Sequence, residues 1–91
     1  MLYPYMKFPD GTEVCHSQII EEDGQKKVIV HFERPNAEGD FDTARCELPA
    51  YHWIIQKGYS EEEMQFFNKL LQSNAHLIFR YAENGDRKSV V

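Results

Sequence analysis

The chain has 91 residues, 42% of them hydrophobic and 13% aromatic, and a formal net charge of −5. That is one domain's worth of chain with one modest core, and its apolar content is that of a folded rather than a disordered segment. Fifteen acidic against ten basic residues, with no cationic run longer than Lys26-Lys27 or Arg87-Lys88, argue against a nucleic-acid partner. No apolar run approaches the roughly 18 residues of a membrane span, and no leader pattern opens the chain, so a cytoplasmic protein without a membrane partner is expected.

In chain order, "LYPYMKF" reads as a strand. Pro4 assigns it to an edge, because proline has no N–H for the ladder. Asp10-Gly11 and Asp23-Gly24 are favoured two-residue hairpin turns, since both central positions of a type I′ turn need positive φ. Read as such, the Asp23-Gly24 turn sets Cys15 opposite Phe32, Ser17 opposite Val30, Ile19 opposite Val28 and Glu21 opposite Lys26. The Asp10-Gly11 turn sets Met6 opposite Cys15, Pro4 opposite Ser17 and Leu2 opposite Ile19. "KKVIVHFER" alternates with period two, placing Val28, Val30 and Phe32 on one face. "DTARCEL" does the same with Ala44, Cys46 and Leu48.

Pro49 and Gly58 bracket "AYHWIIQK" as a short helix. Ser60 and Glu63 form a capping box, and Glu61, Glu62 and Glu63 suit the positive end of a helix dipole. The apolar stripe Met64, Phe67, Leu70, Leu71 then predicts the main helix over about 61–73, ending at Ser73-Asn74. "HLIFRYA" and "KSVV", joined through Asn84-Gly85, read as a fifth strand and a short sixth. The expected class is α+β, a mainly antiparallel sheet of about four to six strands in the order ββββ(α)αβ(β), with the helices on one face.

"EVCHSQ" places a thiol, an imidazole and a hydroxyl side by side, yet neighbouring strand residues point to opposite faces. In the registers above Cys15 and Ser17 face the core and His16 faces out, so His16 cannot act as base to either. Cys15 and Cys46 are separated by the intervening strand, too far for a disulfide. The same registers line up Tyr5, His16 and His31 across the outer face, with Tyr3, Gln18, Ile29 and Arg45 around them. A sheet face this mixed invites a covering partner.

The reading that follows is a non-enzymatic interaction or regulatory domain, using that outer face or a sheet edge for self-association or a protein partner. It needs no cofactor. The alternative is a small-ligand or transition-metal site centred on Tyr5, His16 and His31. For zinc it lacks the third and fourth ligands beyond His16 and His31. No phosphate loop, Ser-His-Asp signature or Cys-x-x-Cys spacing occurs, and an enzyme reading falls back on His52 and Glu47 beside Trp53. "NAEGDFD" lacks the pattern of a calcium loop, and its carboxylates read as a solvated acidic turn.

Overall fold

A computed structural model describes residues 2–84. Among these residues six strands form one antiparallel sheet and one helix covers one of its faces. The strands are β1 (Leu2–Lys7), β2 (Glu13–Ser17), β3 (Ile20–Glu22), β4 (Gln25–Pro35), β5 (Phe41–Leu48) and β6 (His52–Lys57), followed by α1 (Glu61–Glu83). Their lateral order is β1-β2-β4-β5-β6, with β3 pairing the start of β4. This is the antiparallel α+β class expected. The short preceding helix and the strand at "HLIFRYA" do not form, and the "KSVV" strand lies outside the described residues.

β4 and β5 follow their period-two pattern. Val28 pairs Leu48, Val30 pairs Cys46 and Phe32 pairs Ala44, and all six side chains are fully buried on the face that α1 covers. "HWIIQK", with a Trp and two β-branched residues, pairs with β5 instead of forming a helix. Tyr51, held at φ 55°, closes the tight turn that brings it back.

The β2 register departs from expectation by one residue, which reverses a face, and the β1 register departs by one at Met6 and by two at Pro4. The Asp23-Gly24 turn has positive φ at both residues and sets Glu21 opposite Lys26 as expected. The ladder then breaks at Gln18 and Ile19. The Ser17 hydroxyl accepts from the Ile29 N–H at 3.0 Å and donates to the Gln18 carbonyl at 2.8 Å. Beyond this break Val14, not Cys15, opposes Phe32, and His16 opposes Val30. The Asp10-Gly11 turn is a longer loop, closed by the Phe8 N–H on the Thr12 carbonyl, with Gly11 at φ 93°. Tyr5 is then the extra residue of a bulge, so Pro4 pairs Cys15 and Tyr3 pairs His16.

α1 starts where its capping box predicts. Glu63 N–H donates to Ser60 Oγ, and Ser60 N–H donates to Glu63 Oε1. It does not stop at Ser73-Asn74. The apolar stripe continues from Met64, Phe67 and Leu71 to Ile78 and Ala82, all buried. Asn74 stays inside the helix by donating its amide N–H to the Leu70 carbonyl at 2.8 Å while accepting from the Tyr5 hydroxyl at 2.6 Å. Phe67 stacks on Phe32 with ring centroids 4.2 Å apart, and Trp53 donates Nε1–H to Asn68 at 3.0 Å.

Candidate functional site

The corrected registers redistribute the residues singled out from sequence. Tyr3, Tyr5 and His16 belong to the helix side. His16 is fully buried, its Nδ1–H donates to the Ser17 carbonyl at 2.8 Å, and its ring lies 5.5 Å from that of Tyr3. Tyr5 reaches Asn74 on α1 and sits 6.0 Å from the Tyr81 ring, and burial raises its phenol pKa. Gln18 is exposed at the break between β2 and β3. Ile29, His31 and Arg45 stay on the outer face, half-buried.

The expected Tyr5-His16-His31 row therefore does not exist. His16 and His31 lie on opposite faces of the sheet and cannot share one metal ion, and no cluster of three or more His, Cys, Asp or Glu side chains suited to a metal occurs among the described residues. Cys15 and Cys46 are likewise on opposite faces. Cys46 is buried, and desolvation followed by the charge of Glu47 pushes its thiol pKa up to about 12.

What the outer face carries instead is a row across five strands. Pro4 pairs Cys15, Cys15 pairs His31, His31 pairs Arg45, and Arg45 pairs Ile55. On one side of it Ile29 pairs Glu47, which pairs His52. On the other, Glu13 pairs Glu33, which pairs Thr43, which pairs Lys57. His52 and Glu47, the fallback catalytic pair, are thus cross-strand neighbours, with His52 exposed and Glu47 3.8 Å from Lys27 Nζ.

The charges of this face sort into partnered and unpartnered. Lys7 meets Glu13, Lys27 meets Glu22 and Glu47, and Lys57 meets Asp40. Arg45 makes no ion pair with any described residue, and its buried Nε has no hydrogen-bond acceptor among them. Its cross-strand partner is His31, whose imidazole is held below its usual range by burial and by the Arg45 charge. Glu33 faces Glu13 across the ladder and also makes no ion pair among the described residues. An unpaired guanidinium nitrogen shielded from water is costly, and because the Arg45 side chain as a whole is only half-buried, a carboxylate docked on this face can form a charge-assisted bond once the guanidinium turns outward.

A second charged cluster escaped the sequence reading. Arg34 shares a face with Phe32 and so points under α1. Its Nη1 donates to Glu63 at 2.6 Å and to Asp10 at 3.0 Å, its Nε and Nη2 donate to Asp42 at 3.0 and 2.8 Å, and its guanidinium lies over the Tyr59 ring. Hydrogen bonds to Arg34 hold the Asp42 and Glu63 carboxyls below their usual range. The Thr12 backbone N–H is the larger cause at Asp10. The available signal was the cation at a core-facing position of β4, which demands carboxylates nearby. Glu63 serves both Arg34 and the helix cap. No protein-family model, curated protein or solved structure matches this chain.

Proposed function

We propose that this chain is a cytoplasmic, non-enzymatic interaction domain that self-associates through its outer sheet face. The observation that carries the reading is Arg45, whose side chain sits in the middle of the five-strand row with a buried Nε that has no acceptor among the described residues. Glu33 lies diagonally from it on the same face, because His31 pairs Arg45 and Glu33 pairs Thr43. A two-fold axis lying in the interface between these two positions brings each Arg45 over the other copy's Glu33, which is the self-complementarity an isologous contact requires.

Size supports the same reading. β4 and β5 pair over eight residues in a sheet path five strands wide. At ordinary strand spacings the 6, 5, 11, 8 and 6 residues of β1, β2, β4, β5 and β6 give this face about 590 Å², at the low end for one partner of a specific interface. Ile29 and Ile55 flank the charged centre and supply apolar contact. No helix among the described residues is long and apolar enough to cross a membrane.

Sedimentation equilibrium tests the reading. The apparent mass is expected to rise with concentration above the 10.7 kDa of one chain. An Ile29→Asp/Ile55→Asp double variant is expected to hold the single-chain mass with an unchanged circular dichroism spectrum. A wild-type mass that stays at one chain throughout, or a variant that associates as the wild type does, contradicts it.

A further inference from the structure

At the opposite side of the molecule from the outer face, the Phe8 loop and the first two turns of α1 enclose a groove of about 440 Å³. This is within the size range of ligand-binding clefts. Phe8 and Phe67 stack with centroids 6.5 Å apart, and Phe66 meets Phe8 edge-on at 5.5 Å. Phe67 is 4% exposed and belongs to the core, but Phe66 is 53% exposed, off the stripe that faces the sheet. Its ring is therefore a wall of the groove with little part in the fold.

Carboxylates rim this aromatic wall. Asp10, Glu62 and Glu63 line it, and the cation next to them, Arg34, is already shared among Asp10, Asp42 and Glu63. One guanidinium for three carboxylates leaves an excess of negative charge. Glu62 adds to it, having no ion pair among the described residues. The half positive charge at the start of a helix offsets part of this excess and is itself opposed by Glu61, Glu62 and Glu63. Aromatic faces beside carboxylates are the chemistry that receives a cation with an apolar stem, and they repel an anion.

We propose that this groove is a second docking site, which takes a lysine side chain flanked by an apolar residue on a segment of a protein partner. The lysine stem packs against Phe8 and Phe66 while its ammonium reaches Glu62 and Asp10. A second copy of the chain joined through the outer face leaves the groove open, so the proposal does not rest on self-association.

The test is an amide NMR titration of the full chain with three blocked tripeptides, acetyl-Leu-Lys-Phe-amide and its Gln and Glu counterparts. The lysine peptide is expected to shift the Phe8, Glu62 and Phe66 amides saturably, at least about tenfold more tightly than the glutamate peptide, with glutamine between them. Glu62→Gln is expected to weaken the lysine peptide about threefold while leaving the glutamate peptide no weaker. Phe66→Ser, at an exposed position, is expected to abolish saturation by all three without altering the circular dichroism spectrum. Equal response to the lysine and glutamate peptides, or no shift at these amides, overturns the proposal. So do shifts at Phe66 that grow with protein concentration in the absence of peptide, since they would assign the groove to a second copy.

Discussion

The two faces of the sheet are built from the same strands and differ in what lies on them. On the helix side Val14, Val28, Val30, Phe32, Ala44, Cys46 and Leu48 are at most 1% exposed. On the outer side no strand residue is buried to that degree, yet Cys15, Ile29, His31, Arg45 and Ile55 are only half-exposed, shielded by one another. Charges follow the same division. Under α1 the cation Arg34 has three carboxylate partners within the chain, whereas Arg45 on the outer face has none among the described residues.

The widest separation of the two faces should come from truncation. Phe32→Ala removes a ring stacked on Phe67 and is expected to cost about 3 to 5 kcal/mol. Ile29→Ala, three residues away on the same strand and facing out, should cost about 1 kcal/mol or less. Denaturant midpoints of the two variants measure the difference, and similar losses would erase the distinction.

Acid should act next, and on the helix side. Asp10, Asp42 and Glu63 have folded pKa values below their ordinary ones. Their contribution is therefore fully present above the ordinary values near 4 and is lost as pH falls through the lowered ones. Urea midpoints should be level from about pH 6 to 5 in this respect and decline below about pH 4. Arg34→Met should start lower and decline less steeply. A variant slope equal to that of the wild type would remove Arg34 from the account. The smallest effect is chemical and leaves stability untouched. In the Ile29→Asp/Ile55→Asp variant, whose outer face is uncovered, a thiol reagent should modify Cys15 in the folded protein and reach Cys46 only on unfolding, because the latter is buried with its pKa pushed up to about 12. Native labelling of Cys46 ahead of Cys15 would restore the register in which Cys15 faces the core.

That register shows what the sequence conveys and where it stops. β4 and β5 are legible because six apolar residues alternate without interruption, and any slip would expose all of them. β2 is short, and its two candidate core sets, Val14 with His16 or Cys15 with Ser17, differ little in apolar content. The break at Gln18 and Ile19 decides between them through a Ser17 hydroxyl bonded to Ile29, a tertiary contact that no local pattern announces. The extent of α1 was hidden for a similar reason. Ser73-Asn74 is a helix-ending signal in isolation, but Tyr5 from β1 supplies a partner that keeps Asn74 in the helix. "AYHWIIQK" satisfied the Pro and Gly signals of a short helix, while its Trp and paired isoleucines obeyed the neighbouring strand. For the candidate site, the face on which Ile29, His31 and Arg45 stand is legible in the sequence because they lie on β4 and β5. Tyr3, Tyr5 and His16 were misplaced because they lie on the strands whose register slipped.

The claim that the outer face is completed by a second copy is tested most directly by reversing its two unpartnered charges. Sedimentation equilibrium on Arg45→Glu and on Glu33→Arg should each show association weakened at least about tenfold, and the double variant should recover most of the loss. Single variants that associate like the wild type, or a double variant no better than either single, would contradict the pairing of Arg45 with Glu33 across a two-fold axis.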